Sequence, residues 1–174
     1  MEERILVPLD GSEVGEAVLP KLENLVINTS PKQDVKVTLL RVISKMNYNV
    51  LTEDDAAQLP ISESDMKEAT LEAQDYLGKV ADRLRSKDIT VKTMVSFGHT
   101  AEEIVKAARE SKANLIAMST HGRSGVVRWA IGSITDKVIR LEGKIPVLAV
   151  NASNKSEKSS TLTMESLQSL VKHS

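Results

Sequence analysis

Short apolar runs alternate along the chain with longer stretches in which apolar residues recur every three or four positions. A short apolar or alternating run is typical of a β-strand, and the three-to-four spacing is typical of an amphipathic helix. On this basis the sequence predicts five strands, at Ile5–Leu9, Val35–Ile43, Ile89–Val95, Ala113–Met118 and Ile145–Val150.

Four helical stretches lie between these strands. The first is expected to be capped by Ser12 and to kink or break at Pro20, which lies too deep for a helix start. The longest helical pattern covers Met66–Leu84. The other two are expected to begin at capping residues, Thr100 and Ser133.

Regular alternation of strands and helices predicts parallel strand pairing through right-handed crossovers. Helices then cover both faces of the sheet, which is a doubly wound, five-stranded α/β fold. We expect this domain to span residues 1–150. Residues 151–174 are expected to form a linker followed by an amphipathic helix or a partly disordered end. The acidic segment Ser44–Asp65 is expected to be a long loop.

Composition excludes several classes of function. A net charge of −1 gives no basic surplus for a nucleic-acid backbone, and 2% aromatic residues leave little for base stacking. No cysteine is present, which excludes thiolate metal sites, and the three histidines are scattered. No apolar stretch is long enough for a membrane span, and the N-terminus does not resemble a signal peptide. We therefore expect a cytoplasmic protein that has no metal site and binds neither a membrane nor nucleic acid.

The candidate site is the loop from the end of the fourth strand to the start of the last helix, Ser119–Ser133. Open α/β sheets bind ligands at such strand ends, and a helix N-terminus offers N–H donors to an anion. Gly122 and Gly132 would allow close approach of the backbone, and Arg123 could add a charged contact. The alternative is that the glycines only shape a long loop. A P-loop and a Rossmann glycine fingerprint are both absent.

The loop reads STHGRSGVVRWAIGS and resembles the nucleotide loop of the universal stress protein family. ATP-binding members of that family carry G-x-x-G, nine residues, and then G-[S/T]. Gly122, Gly132 and Ser133 match, whereas Ser119 stands where the pattern has its first glycine. The N-terminal segment ILVPLDGS resembles the same family, with Pro8, Asp10, Gly11 and Ser12 in register.

This resemblance implies a Rossmann-like fold of the adenine nucleotide α-hydrolase type and a homodimer. By the resemblance the apolar last strand, Ile145–Val150, lies at one edge of the sheet, and we expect the dimer to pair this strand with its own copy. The alternative is that a tail helix around Leu167 folds back over the same edge. It also implies a bound adenine nucleotide, ATP or else AMP or ADP, with Mg²⁺ on the phosphates as a candidate ion. The nucleotide would contact residues from the first, second and fourth strands, from the glycine loop and from the start of the last helix. These are Pro8, Leu9, Asp10, Val42, Met118, Ser119, Thr120, His121, Gly122, Arg123, Ser124, Gly132, Ser133, Ile134 and Thr135.

These patterns favour an ATP-binding regulatory protein of the stress response. No catalytic residue is assigned, because no base with a positioned water stands out, and we expect hydrolysis to be slow or absent. His121 is interpreted as a positioning residue, and Asp10 as either a ribose contact or only a turn former. One alternative is a nucleotide-independent scaffold dimer, which Ser119 supports. An ATP-using transferase is a weaker alternative, because Pro8–Ser12 lacks the motif for pyrophosphate chemistry.

Overall fold

The computed structural model describes residues 2–28, 35–44, 62–120 and 132–151. The strands are β1 (Glu3–Pro8), β2 (Val35–Ile43), β3 (Thr90–Phe97), β4 (Leu115–Ser119) and β5 (Val147–Val150). The helical elements are a 3₁₀ turn (Gly15–Ala17), α1 (Val18–Ile27), α2 (Glu63–Arg85), α3 (Thr100–Glu110) and α4 (Ser133–Glu142). None of the helices in these ranges is long and apolar enough to cross a membrane.

The five strands form one parallel sheet in the order β3-β2-β1-β4-β5. The predicted doubly wound α/β fold is therefore confirmed. The chain builds the sheet outward from β1 in one direction and then outward from β4 in the other. Connections that leave β1 and β4 diverge, which opens a crevice at the carboxyl ends of these two strands.

The core has two layers because neighbouring residues on a strand point to opposite faces. Ile5 and Val7 of β1 pack with α1 and α2, whereas Leu6 packs with α3 and α4. The largest fully buried side chains are all leucine or isoleucine. The sheet is thus buried on both faces, which fixes the positions of the strand ends that form the crevice.

The predicted break at Pro20 is wrong. The α-helix begins only at Val18, after the 3₁₀ turn, so Pro20 occupies its first turn. N–H groups of the first turn have no partner within the helix, and the missing N–H of proline costs nothing there. Ser12 does act at the start of the preceding turn, where its Oγ accepts a hydrogen bond of 2.9 Å from the N–H of Gly15.

Two predicted caps are displaced by one residue. His99 and Gly132 occupy the N-cap positions of α3 and α4, and Thr100 and Ser133 are the first helical residues. A capping sequence fixes a helix start only to within a residue or two. The longest helix also begins before Met66, because the Oγ of Ser62 accepts the N–H of Asp65 at 3.1 Å and caps it.

Candidate functional site

The crevice begins where the chain leaves β1. Leu9 still follows the neighbouring strand, since its N–H donates to the carbonyl of Leu40 at 2.8 Å, and its side chain is buried. Asp10 then turns away from the sheet. Gly11 has φ of 78°, a left-handed conformation that a glycine adopts without strain. Asp10 is therefore placed by a sharp turn directly at the carboxyl end of β1.

The turn after β1 is held by the side chains of Asp10 and Ser12. Oδ1 of Asp10 accepts from the Ser12 N–H at 3.0 Å and from the Ser12 hydroxyl at 2.6 Å. Ser12 Oγ in turn accepts from the N–H of Gly15 at 2.9 Å. Asp10 is thus a turn former, and the same contacts fix its carboxylate at the crevice. We call residues 9–15 the Asp10 turn.

Gly15 is the residue on which the Asp10 turn closes, and the sequence did not single it out. A Cβ on Gly15 would lie 2.2 Å from Oδ1 of Asp10, so no side chain fits there in this arrangement. The carbonyl of Gly15 also accepts the hydroxyl of Ser119 at 2.9 Å. Gly15 therefore connects the turn after β1 with the end of β4, across the point where the strand order reverses.

Ser119 stands at the position where the family pattern has a glycine. Its side chain is buried, and its hydroxyl is used inside the protein, in the bond to Gly15. Its carbonyl accepts the hydroxyl of buried Thr135 at 3.2 Å. The serine thus ties the end of β4 to the Asp10 turn through its side chain and to α4 through its backbone.

Thr120 brings three elements together at the end of β4. Its N–H donates to the carbonyl of Val150 in β5 at 2.8 Å, and its carbonyl accepts the N–H of Gly132 at 2.7 Å. The N-terminus of α4 is therefore held beside the end of β4. The N–H of Asp136 is bonded to the carbonyl of Gly132, so the N–H groups of the three residues before it lack an acceptor within the helix. The positive end of the α4 dipole lies at this edge.

Three of the apolar candidates share one face of the sheet. Met118 and Val42 belong to the cluster that packs with α3, and Pro8 lies two residues after Leu6 of the same cluster. Because side chains alternate along a strand, Pro8 points to that face as well. These residues lie on three neighbouring strands, β2, β1 and β4. Pro8 and Val42 are half-buried and Met118 is buried. We call these three residues at the carboxyl ends of their strands the apolar surface.

The structure therefore brings together most of the candidates that it describes. Leu9 and Asp10 lie at the end of β1, and Ser119 and Thr120 at the end of β4. Gly132, Ser133, Ile134 and Thr135 form the start of α4, where the side chain of Ile134 is exposed and that of Thr135 is buried. Four further candidates lie outside the described residues, namely His121, Gly122, Arg123 and Ser124.

Comparison with known proteins identifies relatives over most of the chain. The model of the universal stress protein family matches residues 1–151. Universal stress protein MJ0531 of Methanocaldococcus jannaschii is 32% identical over 152 residues, which are 87% of this chain and 84% of that protein. The solved structure of protein MJ0577 is 26% identical, with a TM-score of 0.68, and the match covers 89% of this chain and 99% of that one.

A second solved structure, of protein PH0823, is 25% identical with a TM-score of 0.67, and the match covers 91% of this chain and 100% of that chain. The fold likeness and the sequence likeness therefore agree. The resemblance noted in the loop and in the N-terminal segment extends over nearly the whole described part. The chain belongs to the universal stress protein family.

Proposed function

We propose that this chain binds an adenine nucleotide, ATP in the first place, and acts as a nucleotide-dependent regulatory protein of the stress response. The observation that carries the proposal is the meeting of the Asp10 turn, the end of β4 and the N-terminus of α4 where the strand order reverses. Ligands of open α/β sheets bind in this crevice.

The two sides of the crevice suit the two ends of a nucleotide. The apolar surface of Pro8, Val42 and Met118 suits the base. The first turn of α4 carries N–H donors and a positive dipole end, which suit the phosphates. Asp10, at the carboxyl end of β1, suits a ribose hydroxyl. In this proposal His121, Gly122, Arg123 and Ser124 of the glycine loop also contact the nucleotide.

Any Mg²⁺ is carried by the phosphates in this proposal. Among residues 2–28, 35–44, 62–120 and 132–151, no three side chains of histidine, aspartate or glutamate come together as metal ligands. Mg²⁺ commonly binds through phosphates together with few protein ligands. No catalytic residue is proposed.

Precedent within the fold supports the ligand class. A universal stress protein was solved in complex with cAMP, and a family protein of Arabidopsis thaliana was solved with AMP bound. Their identities to this chain are 19% and 13%, with TM-scores of 0.58 and 0.54. What those two ligands share is the adenine nucleotide, and the proposal for this chain is made at that level before ATP is named.

The scaffold alternative depends on Ser119 replacing the first glycine of the pattern. The hydroxyl of Ser119 is buried and bonded to the carbonyl of Gly15. A side chain used in this way is directed into the protein, toward Gly15. Serine at this position therefore does not argue against a nucleotide, and the regulatory, nucleotide-binding function is preferred.

We further propose that the protein forms a homodimer through β5. Within the described residues β5 pairs only with β4, so its other edge carries backbone groups that a second strand could pair with. A two-fold axis would pair this strand with its own copy. The side chains of Val147 and Leu148 are half-buried and that of Ala149 is exposed, which suits an apolar contact.

The test of nucleotide binding is calorimetry with Gly132→Val. Gly132 has φ of −56° and ψ of 148°, which valine also adopts, and its N–H to Thr120 is kept. The added side chain would stand at the start of α4, where phosphate oxygens approach. We expect micromolar affinity for ATP in the unmodified chain and a loss of about 2 kcal/mol, roughly thirtyfold, in the variant.

The matched control is Gly78→Ala in α2, where an added Cβ meets nothing within 4 Å. It should leave ATP affinity unchanged. A folded Gly132→Val variant with unchanged affinity would refute the site. An unmodified chain that binds no adenine nucleotide would refute the function.

A further inference from the structure

A network of polar side chains contacts the Asp10 turn. It lies on the face of the sheet opposite the apolar surface proposed to bind the base. Arg41 follows Leu40 in β2, and its Nη1 donates to the carbonyl of Leu9 at 3.4 Å. The same nitrogen lies 3.3 Å from where a Cβ on Gly11 would be. The guanidinium therefore rests on the backbone of the turn at the point where Gly11 reverses its direction.

Tyr76 of α2 extends this network to the other end of the turn. Its ring centroid lies 6.0 Å from Cζ of Arg41, within the range of a cation–π contact. Its hydroxyl donates to Oε1 of Glu16 at 3.0 Å, and Glu16 directly follows Gly15. Nη1 of Arg83 lies 3.5 Å from the other oxygen of Glu16. One aromatic ring thus links a cation at the start of the turn with a carboxylate at its end.

The donor in this network stays protonated. Burial raises the pKa of the Tyr76 phenol, and the hydrogen bond to the Glu16 carboxylate raises that pKa further. The Tyr76–Glu16 bond is therefore present over the whole physiological range of pH. The side chain of Arg83 is 47% exposed, so its ion pair with Glu16 contributes little by itself.

Arg41 is outside the crevice although it is next to Val42. Consecutive strand residues point to opposite faces, so Val42 faces α3, whereas Arg41 faces α2 and contacts Tyr76. Arg41 and Tyr76 are thus on the far side of the turn from the apolar surface. Their route to a ligand at the apolar surface runs through the turn, which Arg41 contacts at the carbonyl of Leu9.

We propose that Arg41 and Tyr76 are positioning residues that act through the Asp10 turn, holding the Asp10 carboxylate where the nucleotide meets it. This inference rests on the proposed function. It also makes the position of α2, which carries Tyr76, a determinant of nucleotide affinity.

The test uses Arg41→Met and Tyr76→Phe, each alone and combined with Asp10→Asn, with calorimetry of ATP binding. Each single variant should weaken ATP binding by about tenfold, because it removes a hydrogen bond that shapes the turn. In the Asp10→Asn background the same changes should weaken ATP by less than twofold, since residues that act through one another are not additive. Additive losses would overturn the inference.

The matched control is Arg85→Met. Arg85 also contacts a backbone carbonyl, donating to Val91 at 3.0 Å, but it is the last residue of α2 and contacts β3 instead of the Asp10 turn. Its removal should change stability and leave ATP affinity within twofold of the unmodified value. An equal loss of affinity in Arg85→Met would show that Arg41 acts only through general stability, which would also overturn the inference.

A readout without nucleotide separates this inference from the proposed function. Amide hydrogen exchange of Ser12 and Gly15, whose N–H groups bond within the turn, should speed up by about tenfold in Arg41→Met and Tyr76→Phe. Arg85→Met should leave both rates unchanged. If exchange changes as expected while the unmodified chain binds no ATP, the proposed function fails. The conclusion that Arg41 and Tyr76 stabilise the Asp10 turn then still holds. If ATP binds and exchange is unchanged, the inference fails alone.

Discussion

Replacing Gly15 with alanine tests the geometry of the Asp10 turn directly. The backbone of Gly15 has negative φ, so alanine meets no conformational strain there. The new Cβ would, however, lie 2.2 Å from Oδ1 of Asp10 and 3.1 Å from Oγ of Ser12. The carboxylate has to move, and its two hydrogen bonds from Ser12 are then lost or bent.

The magnitude follows from two opposing terms. Hydrogen bonds to a carboxylate contribute roughly 1.5–3 kcal/mol each when intact, and water replaces part of this because the turn is only partly buried. Alanine in place of glycine raises the free energy of unfolding by about 0.5–1 kcal/mol, because it lowers the conformational entropy of the unfolded chain. We therefore expect Gly15→Ala to lower the free energy of unfolding by about 1–2 kcal/mol.

Gly78→Ala is the same chemical change at a position without the clash. An added Cβ at Gly78 meets nothing within 4 Å, and the residue lies inside α2, where alanine is the better helix former. This variant should raise the free energy of unfolding by about 0.5–1 kcal/mol. The two substitutions are thus expected to change stability with opposite signs.

Urea unfolding measures both changes, provided that the slope m stays constant. In an Asp10→Ala background the clash is absent, and Gly15→Ala should then be neutral or stabilising. Equal effects of Gly15→Ala and Gly78→Ala, or an equal loss in both backgrounds, would refute the close contact between Gly15 and Asp10.

Two further outcomes follow from the site and the sheet edge. Ser119→Ala should lower the free energy of unfolding by about 1–3 kcal/mol, because the buried carbonyl of Gly15 loses a donor, and a change below 0.5 kcal/mol in urea unfolding would contradict that role. Changing Val147 to lysine and Ala149 to proline should give monomers in light scattering. Proline has no N–H to donate to a second strand, and the charge of lysine opposes pairing at the β5 edge. An unmodified chain that is monomeric at tens of micromolar would contradict the dimer.

The order of elements could be predicted because each strand and each helix has its own local pattern of apolar residues. The bounds of β2 agree with the prediction residue for residue. The ends of other elements depend on contacts that the pattern does not contain. β5 begins at Val147 and not at Ile145, because Pro146 has no N–H, although its carbonyl still accepts the N–H of Ile116 at 2.9 Å.

The inner parts of the site could not be predicted for a different reason. Ser119 and Gly15 are separated by 104 positions, and Tyr76 and Glu16 by 60. No local spacing reports on such pairs. The one signal in the sequence for the Asp10 turn was Gly15, five residues after Asp10. A glycine is required there because the Asp10 carboxylate lies against it. The motif residues could be identified because they lie next to one another in the chain. The residues that contact them were missed because they are distant in sequence.

Ser119 shows why a motif has to be read together with the residues that it touches. Taken alone, a serine in place of a glycine weakens the match to the nucleotide loop. In the structure its hydroxyl satisfies the carbonyl of Gly15, and Gly15 must stay small because the Asp10 carboxylate lies against it. A glycine at position 119 has no hydroxyl to donate, so that carbonyl would need another partner. Serine at 119, glycine at 15 and aspartate at 10 therefore form one structural unit, and substitutions at these three positions are expected to be interdependent.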